Sequence, residues 1–377
     1  MKVLITGANG FIGRNLRVAL GERDGFEVLP VTRETDEATL QAWAGAADAV
    51  VHLAGVNRPS DPQEFTTGNR DFTARLCELL AATGRRVPVA FASSIQVERD
   101  SPYGQSKRAA EDALLAYGTQ AGAGVAIYRL PNVFGKWSRP NYNSVVANFC
   151  HNIACGLTIR IDDPASVVTL VYIDDVVSEL LEFLHAPPSD TGFPEVTPVY
   201  SITVGELAEQ IRAFGRVRES LVTEPVGTGL TRALYATYVS YLPPDAFHYA
   251  VPRYGDARGV FVEMLKTKDS GQFSFFTAHP GITRGGHYHH TKTEKFLVVK
   301  GRARFRFRHI VTDETHSIET HGEEPTIVET IPGWAHDITN IGEDEMVVLL
   351  WANEIFDRSR PDTVAASLDP TEPRSDA

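Results

Sequence analysis

Cysteine is scarce in this sequence of 377 residues, and its three copies lack the CxxC spacing of a thiolate metal site or a redox motif. Cys77, Cys150 and Cys155 are odd in number, which argues against a disulfide framework and fits a reducing cytoplasm. No apolar run approaches the roughly 18 residues of a membrane-spanning helix. A strand pattern begins directly after Met1, so we expect no signal peptide and a cytoplasmic protein without a membrane partner.

Positive charge is also in short supply. The chain has 36 Lys and Arg against 48 Asp and Glu, a formal net charge of −12. General nucleic-acid binders and proteins of anionic membrane surfaces need a basic face, so neither class is expected. At roughly 100–200 residues per domain, the length favours two domains.

The first part of the chain alternates short apolar runs with segments of helical spacing, which is typical of a parallel, doubly wound α/β sheet. Predicted strands are Val3–Ile5, Val28–Leu29, Ala49–Leu53, Val89–Ala92 and Val125–Tyr128, and predicted helices include Phe72–Leu80 and Lys107–Tyr117.

The character of the chain changes after the break at Leu242–Asp245, where short β-rich runs follow one another. Their spacing predicts an all-β sandwich or barrel. We therefore expect a first domain over 1–243 and a β domain over 244–357. Residues 358–377 are rich in Pro, Ser, Asp and Arg and are expected to form a disordered tail.

The turn after the first strand is rich in glycine. Gly7 permits a tight turn, Gly10 lets the backbone approach a pyrophosphate, and Gly13 lets the helix pack closely on the strand. The amides at the helix N-terminus favour phosphate charge. A dinucleotide-binding turn is therefore predicted, with a ligand-free glycine turn as the alternative. Its residues are Gly7, Asn9, Gly10, Phe11, Ile12 and Gly13.

Arg33 follows the second predicted strand, where an NAD site usually offers an acidic residue for the ribose hydroxyls. An arginine suits a 2′-phosphate instead, which favours NADPH over NADH. Glu34 and Asp36 lie close by and oppose that preference, and Arg33 could also be simply solvated.

Tyr103 and Lys107 form a YxxxK pair at the start of a predicted helix, and this spacing puts both side chains on one helical face. The Lys107 ammonium can lower the phenol pKa and hold the nicotinamide ribose, while Tyr103 exchanges a proton with a carbonyl or alcohol. A serine pair ends the preceding strand. Ser94, in preference to Ser93, is expected to orient the substrate oxygen.

The β domain carries a spaced set of possible metal ligands. His287 and His289 are two residues apart, so both point to one face of a strand. Glu294 and His336 can approach from neighbouring strands. Three imidazoles and one carboxylate suit zinc, iron, manganese or nickel. The alternative is a metal-free pocket in which the histidines are catalytic or structural.

Several motifs together resemble the extended short-chain dehydrogenase/reductase family over about residues 1–240. They are Gly7–Gly13, Asp48–Gly55, Ser93-Ser94, Tyr103-x3-Lys107, Arg129–Gly135 and Val171–Val176. The resemblance implies a Rossmann domain that acts on nucleotide-activated sugars. It also implies that Leu53, Ala54 and Gly55 run beside the cofactor and that Asn132 lies near the nicotinamide.

The β domain resembles the cupin jelly-roll barrel in its two histidine motifs. Its segments Asp256–Glu263 and Arg284–His287 resemble those of the cupin sugar 3,5-epimerases. In that family the histidine of the Arg-Gly-x-His segment is the base beside a ketone, which implies His287. A metal would occupy the same lone pair, so the base remains open. The other candidates are His290, Lys292 and Lys295.

The pairing of the two domains resembles the bifunctional capsule-biosynthesis enzymes of the CapF/WbjC type. The densest part of the match is Gly281–Gly301. The resemblance implies that the cupin epimerises C3 of a UDP-2-acetamido-2,6-dideoxy-4-hexulose. The reductase then uses NADPH on the C4 ketone, on the route to UDP-N-acetyl-L-fucosamine. It also implies a homodimer and a divalent metal in the cupin, zinc in the first place.

Two other functions remain open. One is a nucleotide-sugar epimerase or dehydratase with retained NAD, whose cupin modifies another position. The other is a non-enzymatic regulator that responds to NADPH, although the intact set of Ser94, Tyr103 and Lys107 argues against it.

Overall fold

The computed structural model describes residues 1–252, 254–256, 259–261, 264–267, 271–354 and 359–369. The chain forms two compact units. The first comprises Met1–Arg139 and Val168–Ser201, and the second comprises Pro140–Val167 and the described residues from Ile202 onward. Arg258 and Glu263, from the epimerase-like segment, lie outside the described residues. No helix in the described part of the chain is long and apolar enough to span a membrane.

The first unit is built on a six-stranded parallel sheet with the strand order β2-β1-β3-β4-β5-β8. Both faces of its central strands are buried, which explains their continuous apolar runs. The predicted doubly wound sheet is confirmed. The strands in this part of the chain are β1 (Lys2–Thr6), β2 (Glu27–Val31), β3 (Ala49–His52), β4 (Val89–Ser94), β5 (Val125–Leu130), β6 (Asn132–Phe134), β7 (Val167–Tyr172) and β8 (Thr191–Gly192). Of these, β6 and β7 belong to a separate three-stranded sheet, and the others form the six-stranded sheet.

Helices alternate with these strands. The helix that carries Tyr103 begins sharply because the Ser101 hydroxyl accepts a hydrogen bond from the Gly104 amide and Pro102 occupies the first turn. It ends at Gly122, whose φ is 62°. The helices in this part of the chain are α1 (Phe11–Gly21), α2 (Glu37–Ala46), α3 (Gln63–Phe65), α4 (Phe72–Ala82), α5 (Pro102–Ala121), α6 (Val145–Ala154) and α7 (Ile173–His185). Of these, α6 belongs to the second unit and the others to the first.

The strand order creates a crevice. From β1 the chain moves outward to β2 and then returns to the other side of β1 as β3. Ligands of such sheets bind at this switch point, outside the carboxyl ends of the strands. The glycine turn follows β1, and the Leu53–Gly55 segment follows β3, so both predicted cofactor segments lie at this edge.

The second unit combines helices with antiparallel sheets. Helices α6, α8 and α9 pack on one another, and Thr203 and Glu206 form a capping box at the start of α8. The elements here are β9 (Val199–Thr203), α8 (Val204–Ser220), β10 (Val222–Thr223), α9 (Gly229–Val239), β11 (His248–Ala250), β12 (Tyr254–Asp256), β13 (Gly259–Phe261), β14 (Lys266–Thr267), β15 (Gln272–Ala278), β16 (Thr283–Tyr288), β17 (Glu294–Lys300), β18 (Arg302–His309), β19 (Thr315–His321), β20 (Thr326–Glu329), β21 (Trp334–Asn340), β22 (Met346–Ala352) and β23 (Val364–Ala365).

Two five-stranded antiparallel sheets form the body of this unit, with the orders β11-β20-β17-β22-β15 and β19-β18-β21-β16-β23. Aromatic side chains join their inner faces; the Phe296 and Phe305 rings, for example, lie 5.8 Å apart. The all-β prediction is confirmed. Because helices α8 and α9 group with these strands, the domain boundary at residue 243 stays a prediction.

The end of the chain corrects one expectation. Residues 359–369 belong to the predicted disordered tail, yet Val364 and Ala365 pair with β16 and Leu368 is buried. The edge of β16 offers unpaired backbone groups, and these two residues satisfy them despite the polar composition around them. Residues 370–377 lie outside the described part of the chain.

Candidate active site and candidate metal centre

The glycine turn has the close backbone contacts that its motif predicts. Gly7 has a φ of 66°, and a Cβ there would lie 2.8 Å from the Ala54 nitrogen. A Cβ on Gly13 would lie 2.4 Å from the Gly7 carbonyl oxygen. These contacts bring the start of α1 against the ends of β1 and β3. A larger side chain at Gly7 or Gly13 would push them apart.

The helix start offers amides to an anion. Gly10 precedes α1 and has no side chain to cap it, and Phe11 and Ile12 form the first turn. The Asn9 amide oxygen accepts a hydrogen bond from Arg17 at 2.9 Å. This arrangement fits a pyrophosphate over the turn.

Thr6 ties the second cofactor segment to β1. Its hydroxyl accepts hydrogen bonds from the amides of Leu53 and Ala54, each at 3.1 Å. Gly55 follows, and a Cβ there would lie 3.6 Å from the Lys107 ammonium nitrogen. The predicted cofactor segment thus runs beside a predicted catalytic lysine.

Arg33 is exposed in the loop between β2 and α2. Of the two acidic residues that opposed an NADPH preference, Asp36 is engaged as the cap of α2, accepting from the Thr39 amide at 2.7 Å. Glu34 is exposed. Arg33 is therefore accessible to a ligand, and its role as the partner of a 2′-phosphate stays a prediction.

Ser94 and Tyr103 lie close together at the carboxyl end of β4. Burial raises the pKa of Tyr103, and the nearby Ser94 hydroxyl acts in the opposite direction. We expected Lys107 to lower the pKa of Tyr103. In the protein without a cofactor, burial has the largest effect, and the pKa of Tyr103 is raised instead. Tyr103 is therefore a protonated phenol at neutral pH, ready to donate.

Lys107 is buried, and its ammonium donates a hydrogen bond to the Ala92 carbonyl at 2.7 Å. It lies 4.4 Å from the centre of the Phe91 ring. Burial lowers the pKa of Lys107 to about 8, although Glu111 acts in the opposite direction. Lys107 is thus mostly charged at neutral pH, because its pKa lies only about one unit above 7.

Sequence reasoning missed Glu111. Its buried carboxylate accepts hydrogen bonds from the Ser93 hydroxyl and from Arg129 at 2.7 Å. This explains the choice between the two serines, because Ser93 is engaged with Glu111 while Ser94 faces Tyr103. The same carboxylate pairs Arg129 with α5, the helix that carries Tyr103 and Lys107. Glu111 follows Lys107 by one helical turn, which was the available signal.

Sequence reasoning also missed Asn69, which lies in a π-helical turn at Thr66–Asp71. Its side chain accepts from the Val56 amide at 2.7 Å and donates to the Ser106 hydroxyl at 2.9 Å. Asn69 thereby joins the loop after Gly55 to α5, the helix that carries Tyr103 and Lys107. A π-helical turn often marks a functional site, but nothing in the sequence announces it.

Asn132 is exposed at the start of β6, and its amide donates to the Thr169 carbonyl at 3.0 Å. The cofactor role of Asn132 stays a prediction.

The predicted metal ligands meet in the second unit. One ligand atom from each of His287, His289, Glu294 and His336 lies within 4.8 Å of the others. β16 and the turn after it supply His287 and His289, while β17 and β21 supply Glu294 and His336.

Hydrogen bonds orient two of the rings. The His289 Nδ1 lies 2.6 Å from the Asp362 carbonyl oxygen, and the His336 Nδ1 lies 3.3 Å from the Trp334 carbonyl oxygen. These Nδ1 atoms are therefore the donors, which leaves each Nε2 with its lone pair toward Glu294. The distances from Nε2 to the carboxylate oxygen are 3.2 Å for His289 and 3.6 Å for His336.

The surroundings of His287 and Glu294 favour the unprotonated form of each group. Burial lowers the pKa of His287 to about 3, and the two neighbouring imidazoles act in the same direction. Burial raises the pKa of Glu294, but the neighbouring imidazoles of His289 and His336 outweigh burial and hold that pKa well below its usual value.

The donor set fits a divalent metal. Three imidazoles and a carboxylate are usual ligands of zinc and its neighbours. The His336 Nε2 is buried without a hydrogen-bond partner among the described residues, as a ligand atom awaiting a metal would be.

The cluster opens into a cavity of about 290 Å³ between the two sheets. His287, Glu294 and His336 line it, together with Arg284 and Phe276. The cavity therefore has ligand atoms at its base, apolar walls and a cation that stacks 5.0 Å from the Phe276 ring.

The alternative bases differ in position. Lys292 is buried, with its ammonium 3.9 Å from a Glu294 oxygen. The His290 backbone amide donates a hydrogen bond to Asp362, and neither His290 nor Lys292 lines the cavity described above. Lys295 follows Glu294 directly on β17, so its side chain points to the opposite face of the sheet. Lys295 is thereby removed as a base.

Lys295 instead belongs to a buried charge cluster that sequence reasoning did not anticipate. Its ammonium bonds to Glu329, which also binds Arg218 from α8, and Tyr249 lies 3.2 Å from Lys295. Burial alone would lower the pKa of Lys295, but Glu329 outweighs it and raises that pKa. The cluster fastens α8 to the outer face of the sheet.

Comparisons with known proteins agree with this geometry. Residues 3–193 match the NAD dependent epimerase/dehydratase family, and residues 254–364 match the polysaccharide biosynthesis C-terminal domain. The chain is 59% identical over 368 residues to the UDP-2-acetamido-2,6-beta-L-arabino-hexul-4-ose reductase of Pseudomonas aeruginosa, covering 98% of this chain and 99% of that protein.

Solved structures show the same architecture. The capsular polysaccharide assembling protein CapF of Staphylococcus aureus superposes with a TM-score of 0.68 at 40% identity, over 97% of this chain and 100% of that one. The UDP-glucuronic acid 4-epimerase of Bacillus cereus, solved with NAD, covers 64% of this chain and 96% of its own at a TM-score of 0.54. At 19% identity, the latter likeness concerns the fold alone.

Proposed function

The chain belongs to the NAD dependent epimerase/dehydratase family, in the two-module group that includes CapF, and we propose that it is a bifunctional nucleotide-sugar enzyme. Its substrate is a UDP-2-acetamido-2,6-dideoxy-4-hexulose. The second unit epimerises C3 of this sugar, and the first unit reduces the C4 ketone with NADPH. The observation that carries the reductase is the meeting of Ser94, Tyr103 and Lys107 beside the glycine turn.

The reduction needs one proton and one hydride. NADPH bound over the glycine turn would supply the hydride, and Arg33 would bind its 2′-phosphate. Tyr103 donates the proton to the C4 oxygen, while Ser94, which lies next to Tyr103, orients that oxygen. Lys107 holds the nicotinamide ribose and stabilises the phenolate that forms.

The epimerisation exploits the same ketone, which acidifies the proton at C3. A base removes that proton and an acid returns one on the other face. His287, His289, Glu294 and His336 would hold a divalent metal, zinc in the first place. That ion would stabilise negative charge on the enolate.

His287 has two exclusive assignments, because a metal occupies the lone pair that a base needs. A His287→Ala protein separates them. Loss of bound metal makes His287 a ligand and leaves His290 and Lys292 as the candidate bases. Retained metal with lost C3 exchange makes His287 the base.

Reduction at C4 removes the acidifying ketone and locks the new configuration at C3. Two activities on one chain thus trap an otherwise reversible epimer, which supports a role in the synthesis of UDP-N-acetyl-L-fucosamine or a related sugar. The proposed homodimer is supported by Phe273, Phe275 and Leu349, which are 51%, 69% and 37% exposed on the outer face of one sheet.

The reductase is tested by mixing the protein with NADPH and a UDP-4-keto-6-deoxy-N-acetylhexosamine. The proposal expects one NADPH oxidised for each sugar reduced, and slower oxidation of NADH. Turnover of the sugar without net oxidation of NADPH would overturn it and favour an enzyme that recycles a retained NAD.

A further inference from the structure

We propose that residues 361–366 are part of the metal centre and that Asp362 is the residue that positions its histidine ligands. This inference rests on the proposed metal site. The segment lies in the stretch whose composition suggested a disordered tail.

The Asp362 carboxylate organises the turn between β16 and β17. It accepts hydrogen bonds from three consecutive amides, those of His290 at 2.9 Å, Thr291 at 2.8 Å and Lys292 at 2.7 Å. The Thr291 hydroxyl adds a fourth at 3.0 Å. One carboxylate therefore fixes the backbone directly between two ligands, His289 and Glu294.

The backbone of the same residue fixes a ligand ring. The Asp362 carbonyl oxygen lies 2.6 Å from the His289 Nδ1. An imidazole that donates from Nδ1 presents its Nε2 lone pair, and partners of this kind set both the tautomer and the ring orientation of metal-binding histidines. Asp362 has a φ of 38°, a left-handed conformation that Asp tolerates better than most residues.

The neighbours of Asp362 contact the rest of the ligand framework. The Thr363 hydroxyl accepts from the Lys292 ammonium at 3.0 Å, and this ammonium lies 3.9 Å from a Glu294 oxygen. Ala365 pairs with His287 across the strands. Residues 361–366 thus contact the ring of His289, pair with the strand that carries His287, and bind Lys292, whose ammonium lies near Glu294.

The test measures zinc affinity by chelator competition on the full-length protein. Asp362→Ala removes the carboxylate that fixes the turn and, with it, the restraint on the carbonyl beside His289. Zinc binding is expected to weaken by about 10–100-fold, the usual cost of losing outer support of a metal ligand. Asp362→Asn keeps one acceptor oxygen and is expected to restore part of the affinity. Hydrogen exchange of the amides at 290–292 is expected to accelerate in Asp362→Ala without zinc.

The matched control is Asp369→Ala. Asp369 lies on the same stretch and pairs with Arg306 at 3.3 Å, away from the ligand turn, so its loss is expected to leave zinc affinity unchanged.

Equal zinc affinity in wild type and Asp362→Ala would overturn the role of Asp362 but not the metal site. An affinity loss of equal size in Asp369→Ala would do the same. A lower melting temperature of the zinc-free variant with unchanged affinity would make Asp362 merely structural and would also overturn it. Failure of the wild-type protein to bind zinc, cobalt or nickel would instead overturn the metal site itself.

Discussion

Tyr103 and Lys107 lie one turn apart on α5, and burial moves their pKa values in opposite directions. It raises that of the phenol and lowers that of the ammonium to about 8, because each shift disfavours the charged form. The two pKa values, which lie close together for the free side chains, therefore move apart. At neutral pH Tyr103 is therefore a neutral phenol that can donate its proton, and Lys107 is mostly charged.

Replacement of Tyr103 by Phe removes the proton donor. We expect the rate of NADPH oxidation to fall by about 10²–10⁴-fold, while exchange at C3 in the second unit continues. The matched control is Tyr117→Phe on the same helix, whose hydroxyl donates only to the Val87 carbonyl at 2.8 Å. That change should cost about 1 kcal/mol of stability and leave turnover intact. Full NADPH oxidation by Tyr103→Phe would contradict the assignment.

The pH dependence of reduction follows from Lys107. Its charged form predominates below its pKa of about 8 and disappears above it. We therefore expect kcat/KM for NADPH-dependent reduction to be level below that pH and to fall about tenfold per pH unit above it. Stopped-flow or steady-state profiles between pH 6 and 10 measure this. A profile that stays level to pH 10 would show that the charge on Lys107 is not required.

Among the elements, the turn between β1 and α1 leaves little room for a side chain on its glycines. A Cβ on Gly13 would lie 2.4 Å from the Gly7 carbonyl oxygen, which is backbone and cannot move aside cheaply. Gly13→Ala is expected to weaken NADPH binding and to lower stability by about 1–3 kcal/mol. Gly45 in α2 is the control, since nothing lies within 4 Å of a Cβ there. Gly45→Ala should be neutral or slightly stabilising, and equal losses in both would contradict the argument.

The contact between α8 and the sheet depends on one carboxylate. Glu329 compensates Lys295 and Arg218, and all three are largely withdrawn from water. Glu329→Gln leaves both cations without a counter-charge, so we expect a loss of about 3–5 kcal/mol in denaturant unfolding. Glu319→Gln is the control, because its ion pair with Arg302 at 3.8 Å is exposed and worth under about 1 kcal/mol. A small loss for Glu329→Gln would mean that water reaches the cluster.

Across the whole molecule, the sequence predicted those features whose cause is local. The glycine turn, the spacing of Tyr103 and Lys107, and the alternation of His287 and His289 are each set within a few residues. The strands that bring Glu294 and His336 to the same place were also expected, because spaced motifs in an all-β stretch resemble a known barrel.

Features with distant causes were not predictable in the same way. Glu329 meets Arg218 across 111 residues of chain, and Asp362 meets the ligand turn across about 70. A buried Lys295 beside Glu294 looks in the sequence like a candidate base, and only the alternation of β17 places it on the far side. Composition also misled, because a polar, proline-containing end can still pair with an open strand edge.

The account joins two activities on one sugar, and one incubation tests both. A UDP-4-keto-6-deoxy-N-acetylhexosamine is given with NADPH and the full-length protein in deuterated water, and the product is analysed by mass spectrometry and NMR. The account predicts one deuterium at C3 and one NADPH oxidised per sugar. Deuterium at another carbon, no deuterium, or a labelled sugar without loss of NADPH would contradict it.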